Sequence, residues 1–425
     1  MKISFIQLSD IHFNKDSGNS YDIDNALRSA LLEDIKNEAK KELENIDGLL
    51  VCGDIAFSAQ PNEYKTAKDF LQQVSDVFEL SLSKVYCVAG NHDIDQSLTK
   101  SSKLLQLAQK SLVELDQNNA EAVDREIDNL QNDPHVKGIL FSALKNYNLA
   151  VEEMSSNYSI VKPNWKSSMR MGDYTLWIYG MNSVITSSHL DHYDDFGKRM
   201  YDKERKMVIN QTQIPIPERN NIYLTMCHHP PECWSNQELS QFMDKRIRIQ
   251  LYGHIHKQSI DANDERIRIY SGALQPEHGA GWKPQYNWIQ LYIEGDTLLI
   301  DIYPREYERV SGCFVSETTA CESGQIFKRC RLNLKTDDEA KHLLQIAKTN
   351  EIGRENVRTM NETIKDIVYE LFQLNVMQKN QLKKRYPDIS FESFNTTPED
   401  LDSFINWLRQ ENREQEFLKE LRGLL

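Results

Sequence analysis

Residues 1–95 alternate between short apolar runs and segments whose apolar residues recur at helical spacing. Three apolar runs end abruptly at polar residues, as strands buried on both faces do: Ile3–Leu8, Gly48–Cys52 and Val85–Val88. Between the first two runs, Leu27 and Leu31 belong to a helical stripe. This alternation of strand and helix predicts an α/β domain.

The pattern changes at about residue 95. Residues 95–170 are rich in leucine, charged residues and amides and contain no convincing strand, so they predict a mostly helical insertion. Strand-like runs then return at Tyr174–Tyr179, Ile222–Met226, Ile247–Tyr252, Arg266–Tyr270, Trp288–Ile293 and Leu298–Tyr303. We therefore predict one main domain over residues 1–308, followed by a linker or extension over residues 309–349.

Residues 350–425 predict a separate helical bundle. Thr397 is a suitable N-cap and Pro398 fits the first turn of a helix, where two acidic residues complement the positive end of the helix dipole. Apolar residues then follow at i, i+3, i+4 and i+7: Leu401, Phe404, Ile405 and Leu408. Such amphipathic helices predict a helical interaction domain.

The composition argues against some classes of protein. With 50 Lys and Arg against 64 Asp and Glu, the formal net charge is −14, which argues against a protein that coats nucleic acid through a general basic surface. The seven cysteines lack the spacing of a zinc knuckle, so free thiols in a reducing compartment are expected. Since no segment resembles a signal peptide or a membrane span of ~18 apolar residues, we expect a cytoplasmic protein without membrane contact.

Five short polar clusters carry the candidate chemistry, and four of them directly follow a predicted strand. They are Asp10-Ile11-His12, Gly53-Asp54, Gly90-Asn91-His92-Asp93, Cys227-His228-His229-Pro230 and Gly253-His254-Ile255-His256. Because the carboxyl ends of the strands share one edge of an α/β sheet, these clusters should converge. Their carboxylates, imidazoles and amide suit manganese, iron or zinc, and their number suits two ions.

In this order, the motifs Asp-x-His, Gly-Asp, Gly-Asn-His-Asp, a lone His and Gly-His-x-His resemble those of the calcineurin-like metallophosphoesterase superfamily. The resemblance covers about residues 1–305, and every motif of the set is present. It implies an α/β/β/α sandwich of two facing mixed sheets flanked by helices, here with a helical insertion and a C-terminal helical bundle. It also implies an enzyme, a metal-dependent hydrolase that acts on phosphoester bonds.

The resemblance assigns a role to each matching position. It implies that a first metal ion is held by Asp10, His12, Asp54 and His256. It implies that a second ion is held by Asp54, Asn91, His228 and His254, so that Asp54 bridges the pair. It further implies that His92 faces the scissile phosphate and that Asp93 orients the His92 ring through its other nitrogen.

We therefore predict a dinuclear-metal phosphoesterase that hydrolyses phosphodiester bonds of a nucleotide or a nucleic acid. Two divalent ions, manganese first and iron or zinc as alternatives, would share a water and lower its pKa, so that hydroxide attacks the phosphorus. His92 would stabilise the transition state or protonate the leaving oxygen. The residues leave open the metal, the choice between cyclic nucleotide and polynucleotide, and the choice between monoester and diester.

Two other functions stay open. A metal-dependent nuclease acting on DNA or RNA in a defence or repair complex would use the same ligands, although the acidic charge argues against it. A signalling or scaffold protein with a vestigial metal site is the non-enzyme alternative, and the intact ligand set argues against that one. The His228-His229-Pro230 turn resembles the cyclic-nucleotide phosphodiesterase branch more than the DNA-end-processing nucleases, and His229 is a candidate to reach the substrate or the surroundings of a metal.

Two further predictions concern the tail and the aromatic residues. Through its helix lengths and the Phe404–Leu408 segment, the tail resembles the death-like effector-associated domains of bacterial conflict systems. This implies recruitment of a protein partner, or self-association, through residues 350–425, with simple packing on the catalytic domain as the alternative. Trp282, Tyr286 and Trp288 are candidates to stack a base, with a core or lid position as the alternative.

Overall fold

The computed structural model describes residues 1–14, 17–18, 22, 24–152, 154, 164–191, 206–275, 283–334, 408 and 413–422. The chain divides into two compact units, Met1–Ala340 and Lys341–Leu425. The death-like bundle predicted over residues 350–425 falls in the second unit and almost entirely outside the described residues. It stays a prediction, as do the recruitment and self-association that it implies.

Thirteen strands in the described residues form two sheets. They are β1 (Lys2–Leu8), β2 (Gly48–Val51), β3 (Val85–Cys87), β4 (Asn164–Met171), β5 (Tyr174–Met181), β6 (Asn221–Cys227), β7 (Ile249–Tyr252), β8 (Ser259–Ala262), β9 (Ile267–Tyr270), β10 (Gln285–Glu294), β11 (Thr297–Glu308), β12 (Cys313–Ser316) and β13 (Lys328–Asn333). The first sheet has the order β12-β11-β10-β1-β2-β3, with β13 also paired to β11, and the second has the order β4-β5-β6-β7-β9-β8. The predicted two-sheet α/β fold is confirmed.

The strands that carry the polar clusters lie in parallel sets. β1, β2 and β3 form one parallel set, and β5, β6, β7 and β9 form another. Every residue of β2, β3 and β7 is buried. This explains why their sequences are continuous apolar runs and do not alternate between apolar and polar residues. Within each set the carboxyl ends lie at the same edge of the sheet.

The two sheets share one apolar core. Phe5 of β1 and Leu224 of β6 belong to the same buried cluster, and each such side chain contributes about 1.5–3 kcal/mol when fully buried. Where β3 lies near β4, Trp165 stacks on Tyr86 with ring centroids 6.0 Å apart. The indole N–H of Trp165 also donates to the carbonyl oxygen of Cys87 at 2.9 Å. These contacts hold the two sheets face to face.

Nine α-helices lie in the described residues: α1 (Asn25–Asp34), α2 (Lys40–Leu43), α3 (Pro61–Asp76), α4 (Gln96–Ser101), α5 (Lys103–Val113), α6 (Ala120–Asn132), α7 (Lys145–Ala150), α8 (Gln237–Asp244) and α9 (Glu414–Arg422). A π-helical turn, Ile35–Ala39, joins α1 to α2, and short 3-10 turns occur at Leu82–Lys84, Asn91–Asp93, Ile139–Leu144, Gln211–Gln213 and Pro231–Cys233. The side chains of Asp95, Ser102 and Asn119 cap α4, α5 and α6. Among the described helices, none is both long and apolar enough to cross a bilayer.

The structure refines two predicted boundaries. The insertion predicted over residues 95–170 is helical through α7, but its last part is strand β4. The segment predicted as a linker or extension over residues 309–349 contributes β12 and β13, which both pair with β11. Only Phe314 is buried in β12, and exposed and buried residues alternate at the end of β13, so neither strand shows the apolar run of a central strand.

Candidate metal centre

The carboxyl ends of five strands bring the predicted ligands to one place. Asp10 and His12 follow β1, Asp54 follows β2, Asn91 follows β3, His228 follows β6, and His254 and His256 follow β7. Backbone hydrogen bonds join these ends within each sheet: the amide of His12 donates to the carbonyl of Asp54 at 3.0 Å, and the amide of Gly253 donates to that of His228 at 3.0 Å. Across the sheets, the amide of His254 donates to Oδ2 of Asp10 at 3.2 Å.

The donor atoms form overlapping groups centred on two carboxylates. Asp10, His12 and His256 make one group, and Asp10, Asp54 and His228 make another, with ligating atoms within 4.8 Å of one another in each. Nε2 of His256 lies 3.2 Å from Oδ1 of Asp10, and Nε2 of His228 lies 3.4 Å from Oδ2 of Asp54. Asp54 also has Nε2 of His12 at 3.8 Å, so its carboxylate lies between the imidazoles of both sheets.

Asn91 joins the second group through its side-chain oxygen. Its Oδ1 lies 3.1 Å from Nε2 of His228. The other ring nitrogen of His228, Nδ1, faces the carbonyl oxygen of Cys52 at 2.9 Å. Because a carbonyl oxygen only accepts, Nδ1 of His228 is the donor, and Nε2 is the nitrogen directed at the centre.

The backbone is strained where the ligands leave their strands. Asp10, His12 and Asp54 each have a φ of 52°, and His254 and His256 have φ values of 72° and 54°. L-residues other than glycine rarely adopt this left-handed region, and such residues cluster at functional sites. Five of the nine non-glycine residues with positive φ in the described chain are predicted ligands, so the strain is concentrated at this centre.

Glycines allow the two sheets to approach each other closely here. A Cβ on Gly253 would lie 2.3 Å from Oγ of Ser9 and 2.5 Å from the carbonyl oxygen of Cys52, both in the first sheet's half of the site. A Cβ on Gly53, whose φ is +94°, would lie 2.4 Å from Nδ1 of His228 in the second sheet's half. Any side chain at these two positions would push the halves of the site apart.

The buried acids and imidazoles control each other's ionisation. Burial alone would raise the pKa of Asp10, but the charge of His256 and its hydrogen bond outweigh burial and lower that pKa to about 2. Burial alone would lower the pKa of His228, but the charge of Asp54 raises it to about 10. The pKa of Asp54 is lowered well below its usual value, against the effect of burial, mainly by His228 and then by His92. The two buried carboxylates thus stay ionised and require nearby positive charge.

These features fit a pair of divalent cations. Oδ1 of Asp10 is buried and lies 3.2 Å from Nε2 of His256, and Oδ2 of Asp54 lies 3.4 Å from Nε2 of His228. A cation held between these carboxylates and imidazoles would supply the positive charge that the two ionised carboxylates require. The donor set of carboxylates, imidazoles and one amide oxygen also matches the preference of manganese, iron and zinc.

His92 and Asp93 differ from the predicted pair. Nδ1 of His92 lies 2.7 Å from the carbonyl oxygen of Phe57, so this carbonyl orients the ring. The Asp93 carboxylate instead accepts from the backbone amides of Ile55 (3.2 Å), Ala56 (3.0 Å) and Gly90 (3.0 Å), as well as from the hydroxyl of Tyr64 at 3.0 Å. The predicted contact between Asp93 and the His92 ring is therefore wrong, because the Phe57 carbonyl takes the place of the Asp93 carboxylate.

The reason lies in the loop that follows β2. A buried carboxylate is most stable where several donors converge, and the backbone amides of Ile55, Ala56 and Gly90 converge on Asp93. By holding this loop, Asp93 fixes the position of Asp54 and of the Phe57 carbonyl. Its effect on His92 is indirect, through the loop backbone.

His229 lies behind the centre. Its Nδ1 is 2.9 Å from Oγ of Ser183, and its ring centroid is 4.4 Å from that of His254. Burial, followed by the charges of His254 and His228, lowers the pKa of His229 well below its usual value, so its ring is neutral. His228, His229 and His254 also form a group with ligating nitrogens within 4.8 Å of one another. His229 therefore lies next to His254, which is one of the predicted metal ligands.

Two of the aromatic candidates for base stacking lie in the core. Tyr286 and Trp288 are 0% and 2% exposed, and the Tyr286 hydroxyl donates to Asp34 at 2.5 Å. They support β10 and have no access to a ligand, and Trp282 lies outside the described residues. The sequence reasoning missed Phe57, which is 51% exposed and has its ring 5.2 Å from that of His92. Its position three residues after Asp54 was the available signal.

A family model described as calcineurin-like phosphoesterase matches residues 3–258, which is more than half of the chain and includes every predicted ligand. The chain belongs to the calcineurin-like phosphoesterase family. The membership agrees with the groups of Asp and His side chains at the strand ends.

Individual relatives of this calcineurin-like phosphoesterase are distant. It is 25% identical over 290 residues to the uncharacterized metallophosphoesterase-like protein YydB of Bacillus subtilis (strain 168), and the match covers 64% of this chain. The matched region is 54% of YydB, so the chain spans about half the length of that curated relative.

Two solved structures are also similar to it. Vps29 of Entamoeba histolytica in complex with zinc has 10% identity and a TM-score of 0.29 over 78% of this chain and 100% of that one. An archaeal phosphodiesterase has 11% identity and a TM-score of 0.27 over 68% of this chain and 93% of that one.

Proposed function

We propose that this chain hydrolyses phosphodiester bonds of a nucleotide or a nucleic acid with the help of two divalent cations. The observation that carries the proposal is that donor side chains from both sheets come together around the carboxylates of Asp10 and Asp54. The family supports the reaction class, and the buried, ionised carboxylates support the cations. Manganese is the first cation to test, with iron and zinc as alternatives.

Each predicted ligand has a place in this proposal. One cation would be held by Asp10, His12, Asp54 and His256. The other would be held by Asp54, Asn91, His228 and His254. When bound, two such cations offset the negative charge of the phosphate and make a water nucleophilic near neutral pH.

His92 is the proposed proton-transfer residue. Because the carbonyl oxygen of Phe57 only accepts, Nδ1 of His92 carries a proton and donates a hydrogen bond to that carbonyl. Nε2 is then the nitrogen that can hold a proton beside the departing oxygen or release it. The ring of His92 lies against that of His12, with centroids 4.8 Å apart, so it borders the proposed cation site. A positioned acid of this kind contributes typically ~10²–10⁴-fold to the rate.

A metal-by-substrate panel tests the proposal. The purified chain is stripped with a chelator, reloaded with manganese, iron, zinc or magnesium, and assayed on bis-p-nitrophenyl phosphate, its monoester, cyclic nucleotides and single-stranded and duplex DNA. We expect chelation to abolish hydrolysis of the diesters and reloading to restore it. Cleavage of DNA without cleavage of small diesters would replace the proposal with a nuclease. A protein that binds the cations and cleaves no phosphoester would be a scaffold.

A further inference from the structure

Phe57 is an apolar residue at the rim of a polar centre. Its side chain is 51% exposed, whereas the neighbouring Ile55 and Ala56 are buried. Its ring lies 5.2 Å from that of His92, at an interplanar angle of 38°, and 6.2 Å from that of His12. A half-exposed aromatic side chain therefore lies directly beside the ring that we place at the departing oxygen.

The backbone of Phe57 is fixed on both sides. Its amide donates to the carbonyl oxygen of Phe13 at 2.8 Å, and its carbonyl accepts from Nδ1 of His92 at 2.7 Å. The preceding residues are held by Asp93, as described above, and the amide of the following residue, Ser58, donates to Glu63 at 3.0 Å. Ordering this ring against a ligand thus requires little additional loss of backbone entropy.

We propose that Phe57 is a stacking platform for a planar aromatic group of the substrate, a nucleobase, whose phosphate is held at the cation pair. The proposal rests on the function proposed above and adds the substrate group that Phe57 recognises. A half-exposed phenyl ring beside the cation site can stack on any nucleobase, because every base has a π-face. The two core aromatics that the sequence offered for this task, Tyr286 and Trp288, are buried.

The test compares ligands that differ only in the base. AMP and ribose 5-phosphate share the sugar and the phosphate, so the ratio of their inhibition constants against hydrolysis of bis-p-nitrophenyl phosphate isolates the contribution of the base. In the unmodified protein we expect AMP to bind roughly tenfold more tightly, about 1.4 kcal/mol. Phe57→Leu, which keeps an apolar side chain without a π-face, should remove that advantage and leave ribose 5-phosphate unchanged. Phe57→Trp should retain it.

A binding measurement that does not depend on turnover accompanies the kinetics. In the cation-loaded Phe57→Trp protein, titration with AMP should quench the added indole fluorescence, and titration with ribose 5-phosphate should not. Leu149→Ala, which shortens a side chain that is 60% exposed on α7, is the matched control and should keep every value of the unmodified protein. Circular dichroism and metal content should be the same in all the variants.

The outcomes separate this inference from the proposed function. If AMP and ribose 5-phosphate inhibit equally, or if Phe57→Leu weakens both equally, the stacking role is wrong although hydrolysis stands. If no phosphoester is cleaved with any cation, the proposed function fails, and the fluorescence titration still decides whether the residue at position 57 contacts a base. Quenching by AMP but not by ribose 5-phosphate would support that contact. No quenching by AMP would show that the stacking role is wrong.

Discussion

The two sheets contribute different chemistry to the same centre. The first sheet supplies both carboxylates and the amide, together with His12 and His92, whereas the second supplies only imidazoles: His228, His254 and His256. The carboxylates of Asp10 and Asp54 each lie close to an imidazole of the opposite sheet, at 3.2 Å and 3.4 Å. Two of the donor groups, Asp10-His12-His256 and Asp10-Asp54-His228, therefore combine side chains of both sheets. The comparison teaches that the centre depends on how closely the two strand edges approach.

The largest expected effect distinguishes Asp54, the proposed shared ligand, from His256, a proposed ligand of one ion. Asp54→Asn removes the negative charge that lies between both groups of donors, so we expect both cations to be lost. Without the cations, turnover should fall by about 10³-fold or more. Each tenfold loss corresponds to about 1.4 kcal/mol of lost transition-state stabilisation. His256→Asn should release one cation and retain the other. Metal content per chain, measured by mass spectrometry, distinguishes the two variants.

The exposed Asp69 of α3 offers the matched control for that comparison. Asp69→Asn removes the same charge far along the helix surface and should keep both cations and full turnover. Equal loss of metal in Asp54→Asn and His256→Asn would show that the ions bind only as a pair. Retention of both ions in Asp54→Asn would remove Asp54 from the shared position.

The next largest effect concerns His92, which follows β3 of the first sheet and is not a proposed metal ligand. His92→Ala should lower turnover by about 10²–10⁴-fold while metal content stays unchanged, because the lost group is an acid and not a ligand. Turnover and metal content of the same preparation provide the measurement. The exposed His135, changed to alanine, is the control with full turnover. Metal loss in His92→Ala would make His92 a ligand.

The smallest expected effect tests the approach of the sheets directly. Gly253→Ala places a Cβ 2.3 Å from Oγ of Ser9, and overpacking of this kind typically costs about 1–3 kcal/mol. We expect a lower free energy of unfolding in denaturant titrations, together with weaker retention of the cations. Gly172→Asn is the control, because no atom lies within 4 Å of the added Cβ and asparagine tolerates a φ of +64°. Unchanged metal affinity in Gly253→Ala would show that the two sheets accommodate the added methyl group without displacing the ligands.

Much of the centre follows from the sequence alone. Each ligand comes directly after a short apolar run, and parallel strands place such positions at one edge, so Asp10, Asp54 and His228 were predictable as neighbours despite their separation in the chain. The α/β class and the helical insertion follow from the same local periodicity. By contrast, the edge strands β12 and β13 lack an apolar run, because one of their faces is exposed, and their pairing with β11 was not predictable from pattern.

Only the tertiary structure decided which groups meet. The family resemblance implied that Asp93 orients His92, yet the Asp93 carboxylate accepts from Ile55, Ala56 and Tyr64, while the Phe57 carbonyl orients His92. Solvent exposure was not predictable from the sequence either, since Tyr286 lies in the core and Phe57 lies at the rim of the centre. The physical reason is that a sequence pattern specifies the face and the end of a strand, whereas hydrogen-bond partners and solvent access depend on what the other sheet and the loops place there.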